Sequence, residues 1–332
     1  MTQPTDSTRN LASAVRSGDR RALSRAITLV ESARDDHRAS ADALLDALAG
    51  GGATEGIRIG ITGSPGVGKS TFIEAFGMHL TGLGHRLAVL AVDPSSARSG
   101  GSILGDKTRM PELSRNPAAF IRPSPSGSGV GGVARRTREA VALVEAAGYD
   151  VVLVETVGVG QSEFAVAELV DLFVLLLAPG GGDELQGIKR GIMELADLIV
   201  VNKADGELAN AARHAAADYR SALTLLRPKH AHWRAEVLSV SSLQGKGMDE
   251  VWQAAERFRA AMEQGGGLGR QRARQAVRWM WTEIERGLLT QVRDDPDLAA
   301  LLSDLERQVA AGDLSPSRAA GQVLKDLLGS GG

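Results

Sequence analysis

The stretch Gly63-Ser64-Pro65-Gly66-Val67-Gly68-Lys69-Ser70 (GSPGVGKS) decides the fold of this 332-residue chain. It matches the pattern G-x-x-x-x-G-K-[ST] and lies between an apolar run, Ile57–Thr62, and a segment with helical periodicity. Glycines in such a loop permit backbone angles at which successive N–H groups converge on phosphate oxygens at a helix N-terminus. The sequence therefore predicts a phosphate-binding P-loop that joins a strand to a helix.

The loop residues have predicted roles in binding a nucleotide. Lys69 would bring a point charge to the β- and γ-phosphates, where it would also serve catalysis, and Ser70 would offer its hydroxyl to Mg²⁺. The predicted nucleotide-binding residues of this segment are Gly63, Ser64, Pro65, Gly66, Val67, Gly68, Lys69, Ser70 and Thr71.

Apolar runs alternate with helical segments over the middle of the chain. The runs are continuous, which is typical of strands buried on both faces of a mostly parallel sheet with crossover helices. The predicted strands are Ile57–Thr62, Leu87–Val92, Phe120–Arg122, Val151–Glu155, Leu172–Ala178, Leu198–Asn202 and Val237–Ser241. We expect a doubly wound α/β domain.

Helical segments flank this domain, and glycine clusters separate them from it. We predict a helical N-terminal segment over residues 1–52, a P-loop domain over 53–264 and a helical arm over 265–332. In the arm, the apolar residues from Val277 to Val292 form one stripe at helical spacing. The stripe favours a dimerisation arm, with packing of these helices on the α/β domain as the alternative.

Composition and charge exclude several function classes. The chain has a net charge of −2, so its overall charge does not attract it to nucleic acid or to an anionic membrane. It contains no cysteine, which excludes disulfides, cysteine-ligated metals and thiol nucleophiles. The polar start, Met1–Asn10, resembles no targeting peptide, and no apolar run reaches the roughly 18 residues that span a bilayer. We predict a soluble cytoplasmic protein without nucleic-acid or membrane partners.

The segment Asn202-Lys203-Ala204-Asp205 carries the prediction of base specificity. It has the pattern N-K-x-D at the end of an apolar strand. An aspartate here can accept hydrogen bonds from N1–H and the exocyclic amine of guanine, which adenine lacks. Asn202 would serve the N7 side and brace the loop, and the Lys203 stem would cover one face of the base. The pattern predicts binding of GTP and GDP.

A second loop is a weaker candidate for the same site. Ser241, Ser242 and Leu243 close the next predicted strand, Val237–Ser241, and their backbone N–H groups would complete the guanine site.

The segment Glu155-Thr156-Val157-Gly158 closes the most apolar strand, where phosphate-sensing loops usually carry D-x-x-G. Glu155 can hold a Mg²⁺-bound water, and Gly158 can offer its backbone N–H to the γ-phosphate. The next residue is Val159, at the position where many small GTPases have a water-orienting glutamine. We therefore expect slow hydrolysis by the chain alone.

Two further carboxylates are candidates for the Mg²⁺ site or for positioning water. They are Asp93, before Pro94, and Asp106, which is also a candidate catalytic residue. Asp93 is alternatively a turn former, and Asp106 is alternatively a helix N-cap.

Five motifs occur together in order and resemble the MeaB/ArgK-type GTPases, the G-protein chaperones of methylmalonyl-CoA mutase. They are the segments 63–71, 92–96 (VDPSS), 155–163 (ETVGVGQSE), 181–189 (GGDELQGIK) and 202–205 (NKAD). The resemblance covers nearly the whole chain. It implies a homodimeric GTPase that binds an adenosylcobalamin-dependent acyl-CoA mutase, gates cofactor loading and protects the mutase.

The same resemblance implies a switch at Gly180–Lys189. In that family the matching stretch couples the nucleotide to the partner, which makes Asp183 and Lys189 candidate switch residues. Three glycines followed by charged residues also fit an ordinary solvated loop. The sequence leaves open whether the mutase acts on methylmalonyl-CoA or isobutyryl-CoA.

Two other function classes fit a P-loop. A metallochaperone GTPase that inserts nickel needs soft or imidazole ligands, whereas this chain has no cysteine and six scattered histidines. A P-loop kinase linked to amino-acid transport has little need for the guanine-specific pocket that Asn202 to Asp205 predicts.

Overall fold

The computed structural model describes residues 6–32, 34–49, 56–93, 110–125, 130–156, 162–179 and 190–329. The chain divides into two compact units, Met1–Arg272 and Ala273–Gly332. The boundaries predicted from the glycine clusters stay predictions. None of the helices within these described ranges has the length and apolar character needed to cross a membrane.

A seven-stranded sheet forms the centre of the first unit, and all of its strand pairs are parallel. The strand order is β3-β2-β4-β1-β5-β6-β7. The strands are β1 (Ile57–Thr62), β2 (Leu87–Asp93), β3 (Ala119–Pro125), β4 (Val151–Thr156), β5 (Leu172–Leu177), β6 (Leu198–Val201) and β7 (Glu236–Ser239). The doubly wound α/β fold and all seven predicted strands are confirmed.

The strand β3 is longer than predicted. The sequence predicted Phe120–Arg122, whereas β3 continues to Pro125 and includes Pro123. Proline has no backbone N–H to donate to a neighbouring strand, but β3 is an edge strand and pairs with β2 alone, so an N–H on its other side is not needed. The edge position therefore accommodates both prolines.

Helices cover both faces of the sheet. They are α4 (Lys69–Gly82), α5 (Val130–Ala146), α6 (Ser162–Ala167), α7 (Arg190–Leu195), α8 (Ala209–Thr224) and α9 (Met248–Gln264). On one face, Phe72 and Phe76 of α4 and Phe258 of α9 are buried in one apolar cluster with alternate residues of the central strands. The strands β4 and β5 are buried along their whole length, which explains why their apolar residues run continuously instead of alternating with polar ones.

The N-terminal helices α1 (Asp6–Arg16), α2 (Arg20–Glu31) and α3 (Asp35–Leu48) pack on one another and on α5. Their shared apolar face buries Val15, Leu23, Ile27 and Leu44. The helix α2 also reaches the edge strand, since Arg122 of β3 forms an ion pair with Glu31. These helices therefore cover the β3 side of the sheet.

The second unit consists of helices. The 28-residue helix α10 (Gly267–Asp294) continues into it from the first unit, and α11 (Pro296–Ala311) and α12 (Pro316–Gly329) follow. The helices α11 and α12 pack on each other and bury Leu298, Leu305 and Ala319. On α10, most side chains of the predicted apolar stripe are exposed, including Val277 at 55%, Met280 at 51% and Trp281 at 57%, whereas Val292 is half-buried.

Candidate nucleotide-binding site

The carboxyl ends of β1, β4, β6 and β7, beside which the predicted motifs stand in the sequence, lie at one edge of the sheet. They meet there because all of these strands are parallel. The register places Ile61 of β1 beside Glu155 of β4, and Val201 of β6 beside Ser239 of β7. The sheet therefore brings together motifs that are up to 180 residues apart in sequence.

At two glycines of the loop between β1 and α4, a Cβ would come too close to neighbouring atoms. Gly63 has a φ of 158°, and a Cβ there would lie 2.3 Å from the carbonyl oxygen of Leu176 on β5. Gly68 is left-handed, with a φ of 92°, and a Cβ there would lie 2.8 Å from Nδ2 of Asn202. The loop thus passes close to the neighbouring strand and to the N-K-x-D segment.

The helix α4 begins at Lys69, so its first N–H groups lie directly behind the loop. The Lys69 ammonium donates to the carbonyl oxygens of Gly63 at 2.7 Å and Ser64 at 3.3 Å. These contacts hold the charge over the loop, where the phosphates of a nucleotide would lie. The arrangement suits an anion because backbone donors, the helix dipole and the ammonium act at the same place.

Ser70 and Glu155 meet next to this loop. The Ser70 hydroxyl lies 3.5 Å from Oε1 of Glu155, whose residue is only 4% exposed. A hydroxyl and a carboxylate are oxygen ligands of the type that Mg²⁺ prefers, together with phosphate oxygens. The donor set therefore fits the ion. Within the described ranges no three His, Asp or Glu side chains come together as a metal site.

Two buried threonines that belong to none of the predicted site residues support this region. The hydroxyl of Thr156, directly after Glu155, donates to the hydroxyl of Thr62 at 2.8 Å. Thr62 is the last residue of β1 and directly precedes Gly63. The bond joins the start of the P-loop to the end of β4. Its sequence signal is a threonine at each strand end beside a motif.

The side-chain amide of Asn202 links three segments of the site. Its Nδ2 donates to the carbonyl oxygen of Val67 at 2.9 Å, and its Oδ1 accepts from the backbone N–H and the hydroxyl of Ser242, at 3.1 and 2.7 Å. The residue is 2% exposed. Asn202 therefore braces the P-loop against the loop after β7.

Lys203 makes a parallel contact to the P-loop. Its ammonium donates to the carbonyl oxygen of Gly66 at 2.8 Å. It has a left-handed φ of 57°, the sole non-glycine residue with positive φ in the described part of the chain. Strain of this kind is concentrated at functional sites, where the surrounding structure holds it.

Asp205 receives its hydrogen bond from the loop after β7. The Ser241 hydroxyl donates to Oδ2 of Asp205 and accepts from the backbone N–H of Gln244 at 3.2 Å. A backbone pair between Ser241 and Lys246 closes that loop. Leu243 at its tip is 81% exposed. The loop after β7, which includes Leu243, therefore orients the Asp205 carboxylate through Ser241.

Four predicted site residues lie outside the described residues: Asp106, Gly158, Asp183 and Lys189. Asp93 ends β2, and nothing is described of its side chain.

A phosphate-binding loop braced by an N-K-x-D segment in a doubly wound sheet defines the class of P-loop GTPases. The comparisons with known proteins agree. Residues 23–297 match the family described as methylmalonyl Co-A mutase-associated GTPase MeaB. The chain belongs to this family, and it is a GTPase that binds guanine nucleotides.

Relatives match over nearly the full length of the chain. A probable GTPase of Mycobacterium tuberculosis is 54% identical over 96% of this chain and 95% of its own. The mitochondrial methylmalonic aciduria type A homolog of Mus musculus is 51% identical over 93% of this chain and 76% of its own. A crystal structure described as a LAO/AO transport system kinase is 40% identical, with a TM-score of 0.78, and covers 98% of this chain and 100% of its own.

Proposed function

We propose that this protein is a GTP-hydrolysing chaperone of an adenosylcobalamin-dependent acyl-CoA mutase, with methylmalonyl-CoA mutase as the first candidate. The observation that carries the proposal is the family match over residues 23–297, because the family's description names that mutase. The name of the mouse relative, which refers to methylmalonic aciduria, supports it. The protein would gate loading of the cobalamin cofactor and protect the mutase, with adenosylcobalamin bound by the partner alone.

Different loops of the site would bind different parts of the nucleotide. Gly63 to Thr71 would hold the phosphates, with the Lys69 charge on the β- and γ-phosphates. Asp205 would accept the two guanine donors, while Ser241, Ser242 and Leu243 would complete the base site. This division is supported by the way Asn202 and Lys203 bond to P-loop carbonyls, since the base and phosphate sites are then held at one spacing.

Hydrolysis would depend on Mg²⁺ and on the loop after β4. Mg²⁺ would neutralise charge on the phosphates, held by Ser70 and, through water, by Glu155. Asp93 and Asp106 are the further candidates for that shell or for positioning water. Gly158 would donate its N–H to the γ-phosphate, and with Val159 beside it the rate would be low until a partner binds.

The partner would act through the segment Gly180–Lys189, with Asp183 and Lys189 as its charged residues. The strand β5, which precedes this segment in the sequence, runs parallel to β1 and ends at the same sheet edge. A partner that binds this segment would change the surroundings of the γ-phosphate.

The protein would act as a homodimer in the cytoplasm. Support comes from the exposed stripe on α10, since Trp281 is 57% exposed and Ile284 is 41% exposed. A contiguous apolar stripe of this kind is typical of an interface.

The test is co-purification of the chain from its native cell, with the retained protein identified by mass spectrometry. Retention of an acyl-CoA mutase supports the proposal and tells the methylmalonyl-CoA enzyme from the isobutyryl-CoA enzyme. Retention of a nickel enzyme instead would favour metal insertion. A parallel assay compares turnover of GTP and ATP with candidate amino-acid-transport acceptors, and phosphate transfer to an acceptor would favour the kinase function.

A further inference from the structure

A cavity of about 160 Å³ lies away from the nucleotide site. It opens between α7, the C-terminal end of α8 and the segment 225–235 that leads to β7. Its lining includes Asp197, which directly precedes β6, whereas Asn202 directly follows β6. At about 3.3 Å per residue, these two positions are separated by roughly 16 Å. The cavity is therefore at the opposite end of the sheet from the phosphates.

The floor of the cavity is built around the buried carboxylate of Asp197, which is 1% exposed. It accepts from the backbone N–H of Phe173 at 2.9 Å, from the ammonium of Lys229 at 2.8 Å and from Nε2 of His230 at 3.0 Å. The Trp233 indole N–H donates to the Asp197 carbonyl oxygen at 2.9 Å. The Asp197 carboxylate thus accepts three hydrogen bonds, and the positive charge of Lys229 is paired with it.

The rim carries an excess of positive charge. Arg220, Arg227 and Arg234 line the cavity and are exposed, against one further acid, Glu194. The guanidinium of Arg220 donates to the backbone carbonyl of Val237 at 3.0 Å, and it forms no ion pair with any carboxylate in the described part of the chain. Arg227 and Arg234 form no ion pair with any residue that the structure describes. An anion is therefore the complementary ligand.

Apolar side chains form most of the rest of the cavity lining. Leu223, Leu226 and the ring of Trp233 line it beside the arginines. A cavity of about 150 Å³ accommodates a benzene ring. A guanidinium binds a carboxylate through two parallel hydrogen bonds, whereas the ammonium of a lysine acts as a point charge. Apolar walls below a guanidinium rim fit a molecule with a ring-sized apolar body and one carboxylate.

We propose that this cavity is a second ligand site, which binds a small organic carboxylate. The carboxylate bonds to the guanidinium groups of Arg227 and Arg234, and the apolar body packs on Trp233 and Leu223. The cavity is separate from the nucleotide site, and the proposal of a second ligand does not rest on the proposed mutase partner.

The test is calorimetric titration of the full chain with benzoate, using protein saturated with GDP and Mg²⁺ so that the P-loop is occupied. We expect one saturable site with a dissociation constant of about 1 mM. Arg227→Gln and Arg234→Gln should each weaken binding by about tenfold. The matched control is Arg213→Gln, on an exposed arginine of α8 outside the cavity, which should bind as the wild type does.

Two further ligands test whether both the ring and the charge are needed, and an NMR spectrum tests whether the ligand binds in this cavity. Benzamide keeps the ring without the charge, and inorganic phosphate keeps a charge without the ring, so both should bind more weakly than benzoate. In NMR spectra the indole resonance of Trp233 should shift with benzoate, and that of Trp252, outside the cavity, should not. The proposal is overturned by absence of saturable binding, by equal affinity in Arg213→Gln and Arg234→Gln, or by benzamide or phosphate binding as tightly as benzoate.

Discussion

The Ser241 hydroxyl donates a hydrogen bond to the carboxylate of Asp205, across 36 residues of sequence. Ser241 is 1% exposed, and its own oxygen accepts from the backbone of Gln244, so the donor is fixed in direction. One oxygen of Asp205 is thereby oriented before any base binds. Orientation in advance reduces the entropy that base binding costs.

The first prediction concerns guanine selectivity. Asp205→Asn should weaken GTP binding by about 2–4 kcal/mol, because a charge-assisted bidentate contact is lost. Xanthine nucleotides should bind more tightly to this variant. Equilibrium binding of labelled nucleotides measures both effects, and Glu207→Gln, an exposed neighbour, is the control. Equal affinity of the wild type for GTP and ATP would contradict this role of Asp205.

The second prediction concerns Mg²⁺. Ser70→Ala and Glu155→Gln should each raise the Mg²⁺ concentration for half-maximal hydrolysis by about tenfold, since each removes an oxygen ligand or its orientation. GDP binding without Mg²⁺ should change little. The assay is phosphate release across a Mg²⁺ series, with Ser221→Ala on α8 as the control. An unchanged Mg²⁺ dependence in both variants would remove these residues from the metal site.

The third prediction concerns the exposed stripe on α10. Trp281→Glu and Ile284→Glu should yield monomers that still bind nucleotide, because a charge at the centre of an apolar interface is not solvated. Light scattering gives the mass of each variant. Leu225→Glu is the control, since Leu225 is an apolar residue of the first unit that is 85% exposed. A monomeric wild type at micromolar concentration would show that the stripe has another role.

The fourth prediction concerns the partner-responsive switch. Lys189→Ala should leave the slow basal hydrolysis almost unchanged and reduce the mutase-stimulated rate by about tenfold or more, since an electrostatic contact to the transferring group is worth several kcal/mol. Single-turnover hydrolysis with and without saturating mutase measures this, and Lys325→Ala is the control. Equal loss of the basal and stimulated rates would instead assign Lys189 to the intrinsic active site.

The fifth prediction concerns the N-terminal helices and pH. Asp19 caps α2, and backbone hydrogen bonds from Ala22 and Arg21 lower the pKa of its carboxyl below the ordinary value of 3.8. A lowered folded-state pKa adds stability that is present above the unfolded pKa and is lost as pH falls through the folded pKa. Asp19→Asn keeps a cap without the charge. Its melting temperature should lie below that of the wild type at pH 7 and approach it at about pH 3. A constant difference from pH 7 to 3 would contradict the contribution of the charge.

The short-range patterns of the sequence were enough for much of the fold. The continuous apolar runs predicted every strand, because strands buried on both faces must be apolar along their length. The P-loop and the N-K-x-D segment could be predicted because each is contiguous and is constrained by its own backbone chemistry. The glycines at 63 and 68 are examples, since the positions they occupy exclude a Cβ.

Contacts between distant segments were decided by the folded chain. The order of the strands, the Thr62–Thr156 bond and the extension of β3 through Pro125 depend on which strand lies beside which. The cavity around Asp197 is a further case, because its lining comes from two helices and a loop that no motif connects. Hydrophobic periodicity specifies that an element is buried and on which face, but it carries no information on the neighbour that buries it. That choice is made by packing and by the pairing of buried polar groups over the whole sheet.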